Sequence, residues 1–369
     1  MFSSLRFKLW IIPAALGLLL PLQAQAGAQE TNPSAVIRVP VVVHGKHGEL
    51  LPYLTASDFT LTDNTHPQTI QSFAPGANLP LTVGLLFETG PGQSSPLHEK
   101  VHASEQFLSR LLSKHASGGA PRVFVVQFHR DIDLLEDPSA SESKAQQALS
   151  QVGEAQFHGD SNAETASVSP PNKRRHAKAS GAALYEAIYL AAHNVLAHPT
   201  GRKAIIVLSD GIDRGSKTTL NGAVEAAQKA GVAIYAIYFK GGRPPMEFLP
   251  SNRNTGNRGY PGNYPGSYPG DYPGDTGNPM PGPSGERRVD GRKMLEELCS
   301  RTGGEMFDSR RQALPQIFVA VMQQLNEADI LQYTRTKAAT EPGFHHIRLK
   351  PKPKDVTVQM TEGYWLGDE

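Results

Sequence analysis

The chain has 369 residues, with 36 Lys plus Arg against 35 Asp plus Glu and a formal charge of +1. That balance leaves no electrostatic footprint for nucleic acid or another acidic polymer. Its one cysteine, Cys299, excludes an internal disulfide, so an ordinary hydrophobic core must hold the fold, and roughly 300 residues are enough for one.

The N-terminus carries Arg6 and Lys8 ahead of an apolar run over residues 9–22 that Pro13 and Pro21 interrupt. The run is shorter than the roughly 20 residues that span a bilayer, and the small-x-small pattern Ala24-Gln25-Ala26 follows it. This predicts a signal peptide over residues 1–26 and an exported chain, periplasmic or secreted; an uncleaved N-terminal anchor is the alternative. No later segment reads as membrane-spanning. Residues 35–43, 59–62 and 68–73 read as strands of an N-terminal β flank (27–80), too small to be stable alone.

From Leu81 the pattern changes to strands separated by helices. Strands are expected at 81–87, 121–128, 203–208, 232–238 and 306–307, and helices at 97–114, 143–152, 179–196, 220–230, 289–301 and 314–326. The alternation predicts an α/β domain over 81–327: a doubly wound, mostly parallel sheet with helices on both faces. Cys299 falls on the apolar side of its helix and is read as a small buried hydrophobe. Two polar stretches interrupt the domain. Residues 153–178 contain Lys173-Arg174-Arg175, and residues 241–288 carry Tyr-Pro-Gly units at Tyr260, Tyr264, Tyr268 and Tyr272. The second has little apolar material to bury and reads as a chain of turns or a disordered insertion, with its tyrosines as candidate contacts for a surface or partner. A C-terminal β flank (328–369) follows, with strands at 330–334, 345–350 and 356–360 that can pair with the N-terminal ones.

In open α/β sheets sites form at the carboxyl ends of the strands. Here those ends read Glu88-Thr89-Gly90-Pro91-Gly92-Gln93-Ser94-Ser95 and Ser209-Asp210-Gly211-Ile212-Asp213, with Ser180-Gly181-Ala182 opening the middle helix. Other chemistry is poorly represented. Gly-x-Ser-x-Gly is absent, which argues against a hydrolase, and no Gly-Lys-Ser/Thr phosphate loop exists. His44 and His47 sit in a turn and His345 and His346 on a strand expected to be exposed; neither set has zinc spacing, and all four read as solvated.

On these crest residues the chain resembles von Willebrand factor A domains, and more closely the VWFA-related family typical of Acidobacteria. The segment 54–63 and the ends at Gln332-Tyr333-Thr334 and Gly363-Tyr364-Trp365 fit that family's flanks. The resemblance implies a Rossmann-like fold, a non-enzymatic role in adhesion, and a Mg²⁺ site built from Asp-x-Ser-x-Ser, a Thr and a further Asp, because a hard cation takes hydroxyl and carboxylate oxygens. Mapped without gaps, Glu88 takes the first Asp position, Gly90 and Gly92 the serines, Ala182 the Thr and Asp210 the last Asp. Three of the five lack a side-chain oxygen, and Glu88 is a methylene longer than Asp. Glu88 and Asp210 are therefore the only candidate ligands, with capping of backbone N–H groups as their structural alternative; no cofactor is expected, Mg²⁺ being the ion the resemblance would supply. The implied function is protein or extracellular-matrix binding at the crest. The runner-up is an envelope assembly component that uses the α/β domain as scaffold and the Tyr-Pro-Gly insertion as contact.

Overall fold

The computed structural model describes residues 36–90, 93–113, 118–153, 182–240, 290–336 and 341–367. The expected signal peptide, the polar loop beyond Gly153, the Tyr-Pro-Gly insertion, Gly92 and Ser180 lie outside the described residues.

The first strands are β1 (Val36–His44), β2 (Phe59–Asp63), β3 (His66–Gln68) and β4 (Ile70–Pro75). One strand is expected across 68–73, but the chain changes sheets at Thr69, so β3 pairs with β2 while β4 joins a different sheet. The β2–β3 connection holds Asn64 and Thr65 at φ +44° and +73°, the signs of the two-residue hairpin turn that matches strand twist. A β-branched residue is strained there. The Asn64 backbone N–H donates to the His346 carbonyl, and its side-chain oxygen accepts the His346 N–H, which hold the turn in place.

The central sheet is built from β5 (Leu81–Glu88), β6 (Arg122–Phe128), β7 (Ile132–Ser139), β8 (Arg202–Ser209), β9 (Val232–Tyr238) and β10 (Met306–Asp308). Its order is β10-β9-β8-β5-β6-β7, parallel except for β7. This is the doubly wound order, reversing between β5 and β8. All eight residues of β5 are buried, as a strand covered on both faces requires. Strand β7 has no counterpart in the sequence reading. Its Asp133, Glu136, Asp137 and Pro138 break an apolar pattern, and charges and proline are tolerated because it is the sheet's edge.

Helices α1 (Ser94–Leu112), α2 (Glu142–Ser150), α3 (Leu184–Leu190), α4 (Leu220–Ala230), α5 (Gly291–Thr302) and α6 (Leu314–Glu327) cover the sheet. The period-2 alternation of β5 divides the core: Leu85 and Phe87 pack with α1, α2 and α6, including a stacked Phe107–Phe318 pair, while Leu86 packs with α3, α4 and α5. Cys299 lies in the second core, its thiol pushed up by burial. The helix expected over 179–196 is shorter. Ala182 and Ala183 are held out of it because the Ala182 carbonyl accepts the Arg214 N–H and the Ala183 N–H donates to His129, and a π-helical turn follows at Ala191–Val195.

Strands β11 (Asp329–Thr334), β12 (Gly343–Pro351), β13 (Thr357–Met360) and β14 (Gly363–Leu366) complete two further four-stranded sheets, β13-β1-β11-β4 and β14-β12-β2-β3. Val39, Val41, Phe59, Leu61, Leu331 and Leu349 fill the core between them, so both chain ends build one sandwich. The sandwich meets the C-terminal ends of α4 and α5: Arg301 pairs with Glu362 at 2.8 Å, and the Lys229 ammonium lies 4.8 Å from the Trp365 ring centroid. Those helix ends stand at the amino ends of the parallel strands, and the crest at the carboxyl ends stays uncovered by the sandwich.

One expectation is overturned inside this module. His345 is 1% exposed rather than solvated, because the strand's inward positions include it together with Ile347 and Leu349. Its Nδ1 lies 2.9 Å from Asp63 Oδ1 and its Nε2 2.6 Å from the Glu341 carbonyl.

Candidate functional site

The crest brings together two of the predicted residues. Glu88 ends β5, and Asp210 follows β8 on the adjacent strand. Glu88 Oε2 accepts the Ser209 hydroxyl at 2.7 Å and the Asp210 N–H at 3.0 Å. Asp210 Oδ1 accepts the Ile212 N–H at 2.9 Å, and Ser209 Oγ accepts the Gly211 N–H at 2.9 Å. Both carboxylates thus organise the loop after β8. That loop is tightly placed: Gly211 has φ +74°, and a Cβ there would overlap the Gly291 carbonyl at the start of α5, so only glycine fits.

Two cations that the motif does not include face this pair. Arg214 Nη2 lies 3.1 Å from Asp210 Oδ2 and Nη1 3.7 Å from Glu88 Oε1. The Arg214 side chain is 47% exposed, whereas those of Glu88 and Asp210 are 3% and 6% exposed. Lys100, on α1, is wholly buried; its ammonium donates to Gln93 Oε1 at 2.7 Å and sits 4.3 Å from the Phe239 ring centroid. Burial pushes the Lys100 ammonium down to about 8, with Glu88 and Asp210 opposing the fall. Burial, and then the charge of Asp210, raise the Glu88 carboxyl above its ordinary value.

The remaining motif positions supply no oxygen. A Cβ on Gly90 would stand 2.7 Å from His129 Nδ1, so the imidazole fills the space a serine side chain would need. Ala182 is fully buried. Ser94 opens α1.

The loop also clamps α3. Asp213 Oδ1 accepts the Tyr185 N–H, Ser216 Oγ accepts the Glu186 N–H, and Glu186 returns the contact by accepting the Thr218 N–H. These bonds satisfy two N–H groups of the first turn of α3 that no helical partner reaches. They also fix the loop that carries Arg214.

Arg214, Lys100 and His129 were missed by sequence reasoning. One signal existed for Lys100: it lies three residues after Leu97 and four before Ser104 on the helix stripe that turns inward. Among the described residues no three His, Cys, Asp or Glu side chains come together as metal ligands, and no helix is long and apolar enough to cross a membrane.

No protein-family model matches the sequence, and neither does any curated protein. Among solved structures, the chain is similar to an aerotolerance-related membrane protein from Bacteroides fragilis, at 15% identity and a TM-score of 0.40 over 67% of this chain and 99% of that one. It is similar to the conserved hypothetical protein BatB from Bacteroides thetaiotaomicron, at 18% identity and a TM-score of 0.38 over 66% and 98% of the two chains. Proximal thread matrix protein 1 from the mussel byssus, in a structure with a zinc-occupied MIDAS motif, matches at 13% identity and a TM-score of 0.42 over 71% and 49%.

Proposed function

We propose that this chain, a von Willebrand factor A-type protein by its fold, is an exported, non-enzymatic binding protein that engages another protein at the crest of its central sheet. The observation that carries this reading is the clamped loop after β8, which holds the half-exposed Arg214 above two buried carboxylates. A preformed, charged loop at the switch point of a doubly wound sheet loses little conformational entropy on binding. Ser209, the hydroxyl beside Glu88, is wholly buried, donates its hydrogen bond to Glu88 and accepts from Gly211. It is not available as a nucleophile, which supports a binding role over a hydrolytic one.

The test places a photo-crosslinking amino acid at Arg130 or Lys217 on the crest, or at Tyr264 in the insertion, in the cell that produces the protein. Cross-links from the crest positions support the reading. Cross-links from Tyr264 alone transfer the contact to the Tyr-Pro-Gly insertion, with the α/β domain as scaffold. Export is checked by the N-terminal peptide of the recovered chain, which should begin after Ala26; a chain retained whole in the cytoplasm would reject export.

A further inference from the structure

We infer that Lys100 and Arg214 are resident cations that replace a divalent ion at this crest, so that the folded chain is closed to metal there. Two carboxylates, Glu88 and Asp210, are 2% and 5% exposed and stand on adjacent strands. Burying one ion without compensation is costly, and burying two of the same sign together is more so. The chain meets that cost with two positive side chains, one from α1 and one from the loop after β8, so the formal charges in the cluster sum to zero. A divalent ion would bring the same two charges on one centre.

The two solutions need different surroundings. A magnesium ion requires about six oxygens at about 2.1 Å in octahedral array. Around Glu88 the oxygen supply is short. Gly90 and Ala182 carry none, and His129 occupies the volume beside Gly90. Glu88 Oε2 is already taken by the Ser209 hydroxyl and the Asp210 N–H. The planar guanidinium fork makes lesser demands, since one group reaches both carboxylates, at 3.1 and 3.7 Å. Gln93 is oriented by the same logic. Its oxygen accepts the Lys100 N–H at 2.7 Å, so that acceptor is already engaged, and its buried amide NH₂ has no partner among the described residues. With Glu88 Oε2 and Asp210 Oδ1 already held by hydroxyl and backbone donors and the other two carboxylate oxygens facing Arg214, the crest leaves a divalent ion few free acceptors. This inference concerns how the crest is held together, and it stands whether or not the crest is the face that binds a partner.

The test is a titration of the chelator-treated full chain with Mg²⁺ and Mn²⁺, read by melting temperature and by calorimetry. The native chain should show no saturable response at millimolar metal. Arg214→Ala should melt several degrees lower, and divalent metal should restore part of the loss saturably, unless Asp210→Asn is added. A saturable response of the native chain that Asp210→Asn abolishes would overturn the inference, as would an Arg214→Ala chain that melts unchanged. If Arg214→Ala does not fold, the balance is read from its other side. Lys100→Met should lower the melting temperature and Lys100→Met with Glu88→Gln should recover part of it; a double variant that melts no higher than Lys100→Met refutes the charge balance.

Discussion

The sandwich and the crest each bury carboxylates, and they satisfy them in different ways. In the sandwich, Asp63 is fully buried and takes the Tyr333 hydroxyl at 2.9 Å, the Tyr364 hydroxyl at 2.7 Å and the His345 ring at 2.9 Å. Those partners come from β11, β14 and β12, so one carboxylate ties the N-terminal strands to three C-terminal ones across both sheets. Burial first, together with Asp63, pushes both phenols well above their ordinary range. At the crest, the carboxylates are held by loop backbone, by the Ser209 hydroxyl and by the half-exposed Arg214. A strand lattice seals its acid and spends it on folding; a loop leaves one side of the cluster facing solvent, where a partner can reach it.

The sharpest way to break this contrast is Asp63→Ala. It leaves two phenols and an imidazole without their acceptor in a closed core, and removing one member of a buried charged network costs about 3–5 kcal/mol. The melting temperature should fall by roughly 10 °C, read by circular dichroism, with both ends of the chain becoming protease-sensitive together. A fall of only a degree or two would show that the network does not join the two ends. Arg214→Ala, with the second cation Lys100 still in place, should cost less.

A smaller effect tests the crest. Gly90→Ser installs the hydroxyl of the adhesion motif, but its Cβ meets His129, and overpacking of this kind costs about 1–3 kcal/mol. His129→Ala in the same chain should recover most of that loss, giving a coupling far from additivity. Additive melting shifts would mean that the imidazole does not hold the space. The pair also separates packing from electrostatics, since neither residue belongs to the Glu88–Asp210–Arg214 cluster by a hydrogen bond.

The fold was legible in the sequence because burial leaves periodic traces. The apolar run of β5, the apolar face of α4 and most strands at the two ends stand where the pattern places them, α4 and β9 with the expected limits, whereas the strand expected over 68–73 is divided between β3 and β4 and β14 was not anticipated. An edge element escaped, since β7 mixes acids and proline where one side of it faces solvent, and so did an interior residue: His345 on β12 looked solvated because histidine is polar, although its partner Asp63 lies 282 residues away. The candidate site was half legible. Glu88 and Asp210 stand at strand ends that a motif register locates, whereas Arg214 and His129 act from loops whose course depends on tertiary contacts. No spacing rule announces that an imidazole will sit on a glycine.

A fourth carboxylate completes the comparison, because among the described residues its side chain has neither donors nor cations. Asp329, the first residue of β11, is 5% exposed and makes no side-chain hydrogen bond or ion pair among the described residues. Burial alone pushes its carboxyl from the ordinary 3.8 up to about 6. The folded chain therefore holds a proton there that the unfolded chain has lost between those two values. The contribution of this group to stability is most favourable below about pH 4 and declines as pH rises through about 6, levelling off above it where the full cost of the buried charge is reached. Asp329→Asn removes that cost. The variant should melt close to the native chain at pH 4 and above it at pH 7, by a degree or two, with the difference opening between pH 4 and 6. A difference that stays constant with pH would mean that neighbours compensate Asp329, as they do Glu88 and Asp210, and would place those three carboxylates in one class.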